Sequence, residues 1–80
     1  MKIPRDCDGA GLTRTLRRLG YEMQRQTGSH MQLTTRVGGE HHLSVPNHRP
    51  LKVGMLNALL KDVAAHHGLD IEALLKEISI

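Results

Sequence analysis

The sequence is nearly devoid of aromatic residues: among 80 positions there is no Phe, no Trp and a single tyrosine, Tyr21. This excludes the stacking platforms on which RNA-recognition motifs, OB-folds and cold-shock domains hold splayed bases. Any contact with a nucleic acid must therefore rest on charge and hydrogen bonds. Cysteine is as scarce. The lone Cys7 excludes an internal disulfide framework and fits a reducing compartment, where it is read as an ordinary thiol near the chain terminus. Long apolar runs are also missing, and no basic segment precedes an apolar one. Neither a membrane span nor a secretory signal is expected, and the expected location is the cytoplasm.

What is present fits one small domain. A chain of 80 residues can enclose one core, so residues 1–80 are read as a single unit. Eleven Lys and Arg stand against eight Asp and Glu, a net charge of +3. Basic side chains concentrate before residue 55, with nine basic and four acidic there, against two and four afterwards. That asymmetry makes an anionic partner plausible without compelling one.

Asp8 is placed to cap a first helix whose apolar positions Leu12, Leu16 and Leu19 follow helical spacing, with Gly20 closing it. Gly9 and Gly11 lower helix propensity in its first turn, and a frayed start is expected. Three runs of alternating pattern follow, Tyr21 to Thr27, His30 to Val37 and Glu40 to Val45, separated by Gly28-Ser29 and Gly38-Gly39. They predict a three-stranded antiparallel meander. In the second run Met31, Leu33, Thr35 and Val37 share one face and leave His30, Gln32, Thr34 and Arg36 on the other. The apolar side needs a cover of helices, and the polar side stays open. Pro46 to Pro50 reads as a loop, because proline lacks the donor that helix or ladder requires. A second helix carries Val53, Leu56, Leu60 and Val63, with Leu59 and Ala64 beside them, and stops at Gly68. A third starts at Asp70 and buries Leu74, Leu75 and Ile78. The fold class is α+β, an antiparallel sheet with helices packed on one face.

Six histidines raise the question of a metal, and their spacing argues against one. His41 and His42 are consecutive in a strand and point to opposite faces, and His66 and His67 lie about 100° apart on a helix. Solvated surface histidines are the simpler account, and no metal or other cofactor is expected. His30 differs, since it opens the middle strand on the polar face. Imidazole titrates near neutral pH and can accept and return a proton. Cleavage of RNA requires little more: a base for the ribose 2′-OH and cationic donors for the phosphorane. Ser29, Gln32, Arg36 and Lys52 are possible helpers. On these residues alone, an exposed strand histidine without catalytic duty is the better account of His30.

Read in order, Leu16-Arg17-Arg18-Leu19-Gly20-Tyr21, Arg25-Gln26-Thr27-Gly28-Ser29-His30, Val45-Pro46-Asn47-His48 and Gly54-Met55-Leu56-Asn57-Ala58-Leu59-Leu60 resemble the HicA family of toxin components. The resemblance implies an α-β-β-β-α fold, here with an added helix, similar to a double-stranded-RNA-binding domain. It also implies mRNA interferase activity in a type II toxin-antitoxin pair, His30 as the catalytic histidine, and a HicB-type antitoxin as partner. A homo-oligomer is not required. His48 falls in the Pro-x-His element and is expected mainly to support its loop, with general-acid or phosphate-contact roles open. Met55 stands where family members commonly have Thr. Two other readings remain at this point: a non-catalytic double-stranded-RNA-binding module, and a pure protein-interaction domain.

Overall fold

A computed structural model of the chain describes residues 7–78; the two ends of the expected 1–80 unit lie outside the described residues. The element order is α1 (Gly9–Leu16), continued by a 3-10 turn (Arg17–Leu19), β1 (Glu22–Thr27), β2 (His30–Thr35), β3 (His41–Pro46), α2 (Val53–His67) and α3 (Ile71–Glu77). The three strands form one antiparallel sheet in the order β1-β2-β3. This is the α+β arrangement of a double-stranded-RNA-binding domain with a third helix added.

Asp8 caps α1, its Oδ1 accepting the Gly11 N–H at 2.6 Å. The capping bond is also the main reason its carboxyl is held below the ordinary carboxylate range, with the charges of Arg49 and Arg14 pushing the same way against a smaller desolvation effect. Leu12, Leu16 and Leu19 are buried, and Gly20 closes the segment with φ +83°. The first turn is better anchored than its two glycines suggest. Gly9 is buried, its N–H donates to the His48 carbonyl oxygen at 3.0 Å, and a Cβ there would overlap the Pro46 carbonyl oxygen. Glycine at this position is a requirement of close backbone approach.

On β2, Met31, Leu33 and Thr35 face the core and meet Leu43 and Val45 of β3. Val37 does not join them and is 54 % exposed. β2 ends at Thr35, and strand parity has no force once Gly38 and Gly39, both at positive φ, turn the chain. Pro46, expected in the loop, is instead the buried last residue of β3, paired with His30. A proline is tolerated there because β3 is an edge strand. All six residues of β1 are exposed, and its register slips between Met23 and Arg25. Such a bulge, with Glu22 and Arg25 on either side, discourages edge-to-edge pairing.

α1 and α2 both pack on β3. α2 buries Leu56, Leu59, Leu60, Val63 and Ala64 and ends at Gly68 with φ +66°. Val53, expected on this stripe, is 48 % exposed in the first turn; it precedes the part of the helix that reaches the sheet. Asp70 caps α3 through the Ala73 N–H at 2.7 Å, and Leu74, Leu75 and Ile78 complete the core. Among the described residues no helix is long and apolar enough to cross a membrane.

Candidate active site

Three chain segments converge at one end of the sheet. The first is the two-residue turn Gly28-Ser29, which Gly28 permits by taking φ +58° and which places His30 at the head of β2, paired with Thr27 on one side and Pro46 on the other. The second is the loop that leaves β3. Asn47 N–H donates to the Ser29 carbonyl oxygen at 2.6 Å, so the loop continues the sheet pairing by one residue past the strand end. The third is the start of α1, which holds the same loop from the other side. Gly9 N–H binds the His48 carbonyl oxygen, Leu51 N–H binds the Cys7 carbonyl oxygen at 2.8 Å, and Arg49 Nε donates to Asp8 Oδ2 at 3.3 Å.

His30 and His48 are both exposed, and among the described residues neither imidazole has a hydrogen-bond partner. Of the other candidate residues, Ser29 is exposed beside His30 and contributes its carbonyl to the loop anchor. Gln32 lies one step inward on the same sheet face, its Nε2 donating to Ser44 Oγ at 3.4 Å. Lys52 is the exposed N-cap residue of α2, at the far end of the loop that carries His48. Arg36 is not part of this assembly. It follows the opposite end of β2, about 20 Å along the strand from His30 at an ordinary strand rise, and its Nε lies 3.9 Å from Glu40 Oε1. Local sequence marks Asp8, Gly9 and Arg49 as a cap, a weak helix residue and a loop residue. Their joint role in fixing the loop rests on contacts between distant positions that no local pattern announces.

A separate polar cluster lies at the other end of the sheet and corrects the view of all the remaining histidines as solvated. His41 Nδ1 accepts from the Tyr21 hydroxyl at 2.6 Å, and its Nε2–H donates to Asp62 Oδ1 at 3.2 Å. His66 stacks on His41 with ring centroids 4.5 Å apart, and its Nε2–H is shared between the carbonyl oxygens of Val37 and Gly39, 3.1 Å from each. His67 packs edge-on against Tyr21 and His66, and its Nε2 is buried without a partner among the described residues. Burial pushes the Tyr21 hydroxyl up to about 12, with the Asp62 charge adding to the effect. One signal for this cluster was present: His41 has the same strand parity as Leu43 and Val45, the core-facing residues of β3. His42 is a surface histidine, exposed on the open face, its Nδ1 accepting from the Thr34 hydroxyl at 3.0 Å and its Nε2–H donating to Glu40 Oε2 at 3.1 Å.

The helix, open three-stranded sheet and closing helices, with an exposed histidine at the sheet rim, define a small α+β domain of the double-stranded-RNA-binding arrangement. Residues 10–64 match the family model described as the HicA toxin of bacterial toxin-antitoxin systems. The match covers more than half of the chain, which belongs to the HicA toxin family. It is thus a toxin component of a toxin-antitoxin system, with an antitoxin as partner. A search of curated proteins and a search of solved structures found no match. The matched segment stops inside α2, so His66, His67 and all of α3 lie outside it.

Proposed function

We propose that this toxin is a metal-independent endoribonuclease that cleaves mRNA, with His30 as the general base. The observation that carries the reading is the placement of His30. It stands exposed at the rim of the polar sheet face, its imidazole unengaged among the described residues, on a strand paired on both sides. A base held on a rigid element beside open surface can take the proton of a ribose 2′-OH, whose oxygen then attacks the adjacent phosphorus. Arg49, fixed by Asp8, is a cationic donor in the neighbouring loop, and Lys52 supplies further charge at the helix start. Ser29 and Gln32 offer hydrogen bonds on either side of His30. Because base and charge stabilisation are both provided by side chains, the chemistry requires no metal. The antitoxin, on this reading of HicB type, acts by covering the rim, and the cytoplasm is where substrate and partner meet.

The test is cleavage of purified RNA in EDTA by wild-type protein and by His30→Ala. Wild type cuts, and the variant loses at least about 100-fold in rate, the usual contribution of a positioned acid or base. Undiminished cleavage by His30→Ala would refute the role of His30. Stable duplex binding with no cleavage by wild type would instead make the chain a binding module.

A further inference from the structure

We propose that His48 is the second proton-transfer group of this site, the general acid that protonates the leaving oxygen while His30 acts as base; the inference rests on the reading of the chain as a ribonuclease. The sequence alone suggests loop support as the simplest duty for His48, but the loop is held by other atoms. Its anchors are the main-chain carbonyl of His48 on Gly9 N–H, the N–H groups of Asn47 and Leu51 on the carbonyls of Ser29 and Cys7, and the Arg49 guanidinium on Asp8. Any residue at position 48 would offer the same carbonyl. Among the described residues the imidazole takes no part in support; it remains exposed and is carried on backbone fixed on both sides.

Its location follows from the register. Pro46 is the cross-strand partner of His30, and Asn47 is bonded to the residue before it, Ser29. The residue after Asn47 therefore emerges at the same rim as His30. Among the described side chains gathered there, His48 suits the duty best. A serine hydroxyl such as Ser29 is far too weak an acid, an arginine such as Arg49 does not release its proton in proteins, and Asn47 does not titrate. The Asp8 carboxyl is held ionised by its cap and Arg49 and accepts only.

The chemistry requires such a donor. As the O2′–P bond forms, an imidazole nitrogen of His30 takes the 2′-OH proton. As the P–O5′ bond breaks, O5′ receives a proton from the His48 imidazolium, so that no free alkoxide has to depart. The products are a 2′,3′-cyclic phosphate and a 5′-OH. His30 is left protonated and His48 neutral, and exchange with water resets both.

The experiment compares single-turnover cleavage of an RNA having an ordinary P–O5′ bond at one site with the same RNA bearing a P–S5′ bond there, whose thiolate leaves without protonation. His48→Ala and His48→Gln are expected to slow the oxygen substrate by about 10²- to 10⁴-fold and to cut the sulfur substrate at nearly the wild-type rate. His30→Ala is slow on both. Urea midpoints equal to wild type confirm that the variants fold. A His48 variant that cuts the oxygen substrate normally, or that is equally impaired on both, overturns the assignment of His48 and leaves His30 untouched. Wild-type protein that leaves both substrates whole overturns the ribonuclease reading and this inference with it.

Discussion

Gly9→Ala is the sharpest probe of how the loop is held. Alanine at this position would place its Cβ into the Pro46 carbonyl oxygen and 3.1 Å from both the Pro46 carbonyl carbon and the Asn47 Cα. All three atoms are main chain, so no side chain can swing aside, and the helix start and strand end must part. Overpacking of this kind costs about 1–3 kcal/mol. The separation also weakens the Gly9 N–H bond to His48, adding about 1 kcal/mol, while the better helix propensity of alanine returns at most about 1 kcal/mol. The net expectation is a loss of about 1–4 kcal/mol, which for a domain of this size lowers Tm by roughly 4–30 °C. Urea denaturation followed by circular dichroism measures it, with unchanged slope and a lower midpoint. Gly54→Ala is the matched control. It lies in the first turn of α2 with open space where its Cβ would go, and is expected to be neutral or to stabilise by up to about 1 kcal/mol. If Gly9→Ala stays within about 0.5 kcal/mol of wild type, the range of ordinary surface changes, the close approach of α1 to the end of β3 is wrong.

Two further outcomes follow from the core and the histidine cluster. Burial, with the charges of His66 and His41, pushes the His67 imidazole below its ordinary value; Tyr21 packs edge-on against it, and Asp62 binds the neighbouring His41. The unfolded chain therefore binds more protons, and stability that is full above the ordinary imidazole pKa of about 6.5 is lost as pH falls through the lower folded value. Urea midpoints should drop from about pH 7.5 to 5 in wild type and drop less in His67→Leu; equal drops in both would refute this. The Asp8 contribution, from a carboxyl lowered in the fold, is present above the ordinary carboxylate range and disappears only in more acid solution. Leu74→Ala, at a position with no exposed surface, should cost about 2–5 kcal/mol in a single transition. A negligible effect, or a separate early transition, would show that α3 is an appendage to the core.

Much of this fold was readable because each element carries its own punctuation. Asp8 and Asp70 cap, Gly20 and Gly68 stop, and alternation in β2 sorts Met31 and Leu33 from His30 and Gln32. A local pattern loses its meaning past the end of the element that carries it. Strand parity misplaces Val37 beyond the strand end, helix period misplaces Val53 before the helix reaches the sheet, and proline's exclusion from ladders misplaces Pro46 despite its edge position. In the candidate site, His30 was legible from parity and from the family motif. The contacts that bring the His48 loop to it were not, because they run between main-chain groups and leave no trace in side-chain identity. Arg36 shows the converse: it shares a face with His30 by parity, yet distance along the strand removes it from the rim.

The bond between Arg49 and Asp8 joins residues 41 positions apart, and its neighbours between the start of α1 and the β3 loop span similar distances along the chain. The two hairpins of the sheet, by contrast, close over short stretches of chain. Loop closure grows costlier with length, so the hairpins can assemble early while the clasp between α1 and the β3 loop waits for the chain to come together. The rim that carries His30 and His48 is then a late product of folding. A ribosome-bound or truncated chain that has formed its sheet alone presents His30 without the anchored loop. Such a chain has the strand of the fold without the clasp that fixes its rim.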